Sequence, residues 1–400
     1  DGFNIYTFIT DKLYKNVIQI PDNQSDFYSW KKWETPEYKT RFKKSYYMFK
    51  ELFHSMEVTE DTSENKITPA FRITDWFENK HGALSISFDD ASMTQYTEGV
   101  PVMDKYGIKA TFALVSEWMN ENPSLSAEKG NFSIEKFGYK QARELLENGN
   151  EIASHNEIHE KLDTVPEERV LNMMVNSKQT IEKNINHPVY TFVFPYSSTK
   201  AFLFPLTVKA GFLFARTGTD QTNIKDNLDF TKLATIAIYN ENNPTPEEFK
   251  EKIESAYDKW IILNYHHIFP DDSKEMNLLR YHNVTNTYSV TPAMFERQMR
   301  LARNSDHWIA PVSTVGRYVK QRINSRLEIT DHDNRILLKI VNDLDRNIFN
   351  IPLTIEFTTD WKVIKVSNSL NDGIYNPRNN KVYINVLPNE EIIIENITEE

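Results

Sequence analysis

Cysteine is absent from the 400 residues, which excludes disulfides, thiolate nucleophiles and cysteine-bound zinc. Any metal must therefore be held by histidine, aspartate or glutamate. Glycine is scarce, 11 residues against an average usage of about 7%. Glycine-rich phosphate loops are missing with it, and nucleotide-dependent chemistry is disfavoured. No apolar run approaches the ~18 uninterrupted residues that a membrane helix needs, so no span is expected. Basic residues are outnumbered, 46 Lys+Arg against 57 Asp+Glu for a net charge of −11, and no long basic run occurs. Nucleic acid and anionic membrane surfaces are accordingly not expected as partners. The first residue is Asp1 and no signal-like apolar stretch follows it, so the start of the sequence leaves the compartment open.

Aromatic residues are by contrast abundant: 24 Phe, 19 Tyr and 7 Trp. They build a large core, and any at the surface would offer flat faces to sugar rings. Three regions differ in texture. Residues 1–79 are polar and aromatic and read as an N-terminal extension. Its helix is signalled by Thr35 as cap, Pro36 at the first helical position, and Tyr38, Phe42, Phe49, Leu52, Phe53 and Met56 at helical spacing. Residues 80–324 alternate short apolar runs (83–88, 110–115, 189–193 and 261–265) with amphipathic stretches (139–148, 166–185 and 292–303). That alternation implies parallel strands crossed by helices, an α/β barrel or layered sheet, with site residues at the C-terminal ends of strands. Residues 325–400 carry six short strand-like runs parted by turn-rich stretches such as 331–334 and 371–373, the pattern of an all-β sandwich domain.

Four polar clusters stand at such strand ends. Asp89-Asp90 closes the first run; adjacent carboxylates there can divide labour, one holding a metal and one free as a base, or can be a solvated turn. His155 and His159 lie at i, i+4, a spacing that projects two imidazoles from one face of a turn. Two neutral imidazoles and one carboxylate would make a three-ligand site with open positions, as in catalytic zinc centres; a chance surface pair is the bland reading. Pro195-Tyr196 follows the 189–193 run, and His266-His267 ends the 261–265 run. A lone histidine leaving an apolar strand is most often a packing residue. The joint occurrence of all four clusters in one α/β domain argues for a site.

These residues resemble, as an ordered set, the motifs of the polysaccharide deacetylases, the NodB-homology group or carbohydrate esterase family 4. Ser87-Phe-Asp-Asp90 is similar to the T-F-D-D motif and His155-Asn-Glu-Ile-His159 to H-[ST]-x-x-H. Phe194-Pro195-Tyr196 covers the end of R-x-P-Y, and Leu263-Asn-Tyr-His266 resembles the late leucine–histidine motif. The resemblance spans about residues 80–322 and implies a distorted (β/α) barrel. It implies that Asp90, His155 and His159 bind one divalent metal ion, zinc in such enzymes. Asp89 would be the general base, the backbone N–H of Tyr196 an oxyanion donor, and His266 the acid that protonates the leaving group; His267, its neighbour, would face the other way.

The departures fall on the tuning residues. The family arginine of R-x-P-Y falls on Val193, and Arg216 is the candidate substitute. No clear match exists for the aspartate that supports the acid histidine, with Asp220 as candidate; Ala91 and Asn156 replace the commoner Gly and Ser/Thr. Trp118 and Pro195 are further candidates for substrate contact. The resemblance implies a hydrolase removing acetyl groups from an acetylated glycan, with amino-sugar amides preferred over O-acetyl esters. It also implies an extracytoplasmic setting: periplasm, cell surface or medium. The alternative is a carbohydrate-binding protein on a catalytically degenerate deacetylase scaffold.

Overall fold

A computed structural model describes residues 68–128, 132–239, 244–274, 276–277, 288–332 and 334–397. The helix expected around Thr35–Met56 lies outside them. The α/β part begins with the strand Gly82–Asp89 (β1), all eight residues of which are buried. A continuous buried run of this kind belongs to a strand covered on both faces. There follow Thr111–Leu114 (β2), Glu151–Ser154 (β3), Thr191–Val193 (β4), Phe214–Thr217 (β5), Leu233–Ala234 (β6), Ile236–Ala237 (β7), Lys259–Tyr265 (β8) and His307–Ile309 (β9). The pairing order is β6-β5-β4-β3-β2-β1-β8-β7, parallel at every step.

Only Thr235 separates β6 from β7 in the chain. One bent segment therefore lies against β5 at one end and β8 at the other, and the sheet is a nearly closed barrel. Parallel neighbours need crossovers, and helices supply them on the outside: Val100–Lys105 (α1), Tyr139–Glu147 (α2), Glu167–Ile185 (α3), Leu203–Lys209 (α4), Pro246–Glu254 (α5) and Pro292–Asn304 (α6), with Val312–Ile323 (α7) after β9. The expected distortion has a specific source. Along one edge of β1, β9 pairs with Gly82–Leu84 while β2 pairs with Ser87–Asp89. The last strand thus wedges the barrel open at its base. Gly82 is required there, because a Cβ would stand 2.8 Å from the His307 ring and from the Lys259 carbonyl.

Alternation sorts the strand residues. Phe88, Phe112, Ile152 and Phe192 face the helices and join the main core with Leu145, Met174 and Phe295. Ala113, Ala153 and Val193 point inward and form a small cluster of their own. Such small side chains leave room in the barrel for one long one.

The C-terminal region is a β-sandwich. Its five-stranded sheet runs Arg326–His332, Arg335–Val341, Glu391–Asn396, Ile364–Ser367, Asp372–Tyr375; its three-stranded sheet runs Ala70–Ile73, Leu353–Thr358, Lys381–Val386. Ile336, Leu338, Ile355, Phe357, Ile384 and Ile394 are buried between them. The strand Ala70–Ile73 comes from the stretch read as N-terminal extension, and its Phe71 ring stacks on Phe357 at 4.5 Å. Asp372–Tyr375 falls partly in a stretch read as turn; an edge strand paired on one side only tolerates Gly373. Tyr318 of α7 joins sandwich to barrel, donating to the Thr74 carbonyl at 3.1 Å.

Candidate active site

β1 ends at Asp89, and the chain then turns sharply through Asp90 (φ 73°) and Ala91 (φ 52°), both left-handed. Aspartate tolerates that conformation, whereas alanine pays for its Cβ, of order 1 kcal/mol, where a glycine would be free. The turn leaves Asp89 facing into the barrel and brings Asp90 to its mouth. β3 ends at Ser154, and Asn156 (φ 73°) donates its side-chain amide to the Ile158 carbonyl at 3.0 Å. This compact turn, rather than a helix, carries His159 back over His155, with ring centroids 5.0 Å apart.

His155 Nδ1 stands 2.9 Å from the Val193 carbonyl. That oxygen can only accept, so Nδ1 carries the proton and Nε2 presents its lone pair. His155 Nε2 and His159 Nε2 each lie 3.5 Å from Asp90 Oδ1, and the three ligand atoms fall within 4.8 Å of one another. Asp90 Oδ1 is buried and has no hydrogen-bond donor among the described residues. A buried carboxylate oxygen facing an imidazole lone pair is unfavourable unless a cation joins them. The donor set thus fits one divalent ion, and two nitrogens with one oxygen suit zinc.

The charges agree. Burial pushes the Asp90 carboxyl upward, but His159, His266, His155 and Lys136 outweigh it and hold it well below the carboxylate range. Burial, opposed by Asp90, brings His159 down to about 4, and burial also lowers His266 against Asp89 and Asp90. Both imidazoles are therefore neutral in neutral solution. The unfolded chain takes up the His159 proton near 6.5 and the native state only near 4. Native stability from this group is therefore complete above pH 6.5 and falls as pH drops from 6.5 to 4, by on the order of 3 kcal/mol at its limit. Urea unfolding of metal-free protein is expected to show a lower midpoint at pH 5 than at pH 7, with a smaller drop in His159→Gln. An unchanged difference in the variant would contradict the assignment.

Asp89 sits deeper. Arg216 forms a buried ion pair with Asp89 Oδ1; its Nε donates to Ser87 Oγ at 3.0 Å and its Nη2 to Asn264 Oδ1 at 3.2 Å. Asn264 donates to Asp89 Oδ2 at 3.1 Å. Val193 and Arg216 are register partners on β4 and β5. A guanidinium thus reaches Asp89 from the strand next to Val193 at the same level, across an interior that Ala113, Ala153 and Val193 leave open. Burial lowers the guanidinium against the pull of Asp89, though arginine stays charged.

His266, just beyond β8, brings Nε2 to 3.9 Å from Asp89 Oδ2. Gln95, fully buried, donates both amide protons of Nε2, one to the Asp89 carbonyl and one to the His266 carbonyl at 2.6 Å, and so ties the two strand ends together. Trp118 and Tyr196 flank His159 at 5.1 and 4.6 Å between centroids, and the buried Lys136 sets Nζ 4.7 Å from the Trp118 ring. Pro195 is buried at the start of the turn carrying Tyr196 (φ 53°). The structure thus brings together Asp89, Asp90, His155, His159, Tyr196, Arg216, His266 and Trp118. Asp220 stands apart, exposed, and no contact joins it to His266 among the described residues. His267 stacks on Phe269 at 4.9 Å.

Ser87, Gln95 and Asn264 had no assigned role in the sequence. Asn264 was within reach of alternation, being two residues before His266 and level with Ser87 on β1. Gln95 gave no signal, since its partners are backbone carbonyls.

Part of the chain is similar to known proteins. Residues 78–215 match the family model described as polysaccharide deacetylase. YxkH of Bacillus subtilis (strain 168), which bears the same family's name, is 23% identical over 193 residues, 46% of this chain and 64% of that relative. The chain therefore spans just under two thirds of the length of that curated relative. Among solved structures, Streptococcus pyogenes deacetylase PplD in complex with acetate is similar over 42% of this chain and 68% of its own, with 19% identity and a TM-score of 0.35. The Xyl-CE4 domain of a multidomain xylanase from the hindgut metagenome of Trinervitermes trinervoides is similar over 59% and 90%, with 18% identity and a TM-score of 0.38. Residues 78–215 of this chain are thus similar to the polysaccharide deacetylases.

Proposed function

We propose that the protein is a metal-dependent hydrolase that removes acetyl groups from a poly- or oligosaccharide, with N-acetyl amides of amino sugars preferred over O-acetyl esters. One observation carries the reading: a carboxylate held by Arg216 and Asn264, 3.9 Å from His266, lies next to a separate His–His–Asp cluster. Asp90, His155 and His159 would hold the ion, which when bound lowers the pKa of water and polarises an acyl carbonyl.

The chain's own residues supply the proton traffic. Asp89 accepts the proton of the attacking water; Arg216 and Asn264 orient its carboxylate, and Ser87 positions the guanidinium. The backbone N–H of Tyr196 is the oxyanion donor in this reading. His266, neutral at rest, takes over the proton that Asp89 removed from the water, 3.9 Å away, and gives it to the departing sugar nitrogen. An amine cannot leave unprotonated, whereas an alkoxide from an ester depends on the acid less. A polymeric glycan substrate puts the work outside the cytoplasm, in the periplasm, at the cell surface or in the medium. The purely sugar-binding alternative finds no lost residue in the reacting set to support it.

Acetate release from an N-acetylglucosamine oligomer and from an O-acetylated xylan, each with zinc supplied, tests the preference. The amide substrate is expected to be turned over, and to be more sensitive than the ester to His266→Ala. Turnover of the ester alone would reverse the preference, and release from neither would sink the reading.

A further inference from the structure

We propose that Tyr288 is a sugar-stacking platform, the face against which the pyranose ring carrying the departing nitrogen or oxygen lies; this rests on the deacetylase reading for its choice of ligand. Tyr288 is 44% exposed, yet its backbone is left-handed (φ 46°), a conformation that a bulky residue adopts only where its surroundings hold it. What holds it is the pairing of Ser289–Val290 with His267–Ile268, together with the hydrogen bond from the His267 N–H to the Tyr288 carbonyl at 3.1 Å. The aromatic ring is thereby set 5.1 Å from the His266 ring, tilted by 43°, and leans on Tyr239 at 5.2 Å.

The opposite side of the site repeats the device. Tyr196 is 45% exposed and left-handed (φ 53°), with its ring 4.6 Å from His159. The two half-exposed tyrosines thus flank the reacting cluster, one beside the metal-binding histidine and one beside the acid histidine. An acid touches the leaving atom, and in a glycan that atom is bonded directly to the sugar ring. A ring whose substituent meets His266 therefore comes within stacking distance of Tyr288, whose apolar body suits the C–H face of a pyranose and whose hydroxyl suits its rim.

The test uses the full chain and two probes, a β-linked N-acetylglucosamine tetramer and an O-acetylated xylose tetramer. Affinity is read by titration calorimetry on chelator-treated protein, in which hydrolysis is arrested under the deacetylase reading. Tyr288→Phe keeps the ring and is expected to bind the preferred tetramer within about twofold of the parent. Tyr288→Leu keeps much of the bulk without the aromatic face and is expected to bind it roughly tenfold more weakly. Equal affinity in the leucine variant, or a parent that binds neither tetramer, overturns the proposal. A second readout separates the two ideas. If the zinc-loaded parent releases no acetate while the affinities change as expected, the platform stands and the deacetylase reading falls. In an active enzyme the leucine variant should act through KM; a loss confined to kcat would mean that Tyr288 merely positions His266, and would also overturn it.

Discussion

Asp89→Asn is expected to slow acetate release by about 10³-fold or more while leaving zinc binding in place. The substitution is close to isosteric and keeps an oxygen that can accept from Arg216, but an amide has no basicity with which to take a proton from water. General-base catalysis of this kind contributes roughly 10²–10⁴-fold. The variant should still bind zinc, because Asp90, His155 and His159 reach the cation position from the turn after β1 and from the segment after β3, without using the Asp89 carboxylate. Stability should fall too, since the guanidinium, with Arg216 only 2% exposed, loses its partner charge. Calorimetric zinc titration beside an acetate assay separates the two effects. Activity within tenfold of the parent would remove Asp89 from the mechanism.

Arg216→Met should show the second large effect. Arg216 and Asp89 are both nearly inaccessible, and methionine fills much of the arginine volume without its charge. Breaking one side of a buried pair costs about 3–5 kcal/mol, because the remaining ion is left without compensation. Asn264 and Ser87 also lose the donors that fix them. A fall of that size in urea-derived stability is expected, with a roughly 10²-fold loss of kcat as Asp89 loses its orientation. Val193→Arg in the same background restores a guanidinium at the register partner and should recover part of both losses. If Arg216→Met is as stable and active as the parent, the ion pair has no role in either.

Strands β1, β2, β4 and β8 and helices α2, α3 and α6 were legible because burial wrote itself into the sequence as short apolar runs, β1 above all, between amphipathic stretches; the two-residue strands and the short helices left no such run. The candidate ligands were legible because Asp90, His155 and His159 are local, each tied to a strand end and, for the histidines, to each other four residues apart. The rest depends on closure. That Arg216 faces Asp89 follows from the order of strands around the barrel and from three small residues inside it, none of which is a local signal. The Ala70–Ile73 strand was hidden for a related reason: its partner, Leu353–Thr358, lies nearly three hundred residues away. Gln95 shows a different limit, since a side chain that binds only carbonyl oxygens could be placed there by no residue-type pattern.

The central claim is that this chain hydrolyses an acetylated glycan with the help of an ion held by Asp90, His155 and His159. Acetate release from an N-acetylglucosamine oligomer, followed on chelator-stripped protein as zinc is returned, tests it most directly. Activity should be absent after stripping and should return with one equivalent of zinc in the parent, but not in His155→Ala. Stripped protein as active as the loaded form, or a His155→Ala variant restored as fully as the parent, would contradict it.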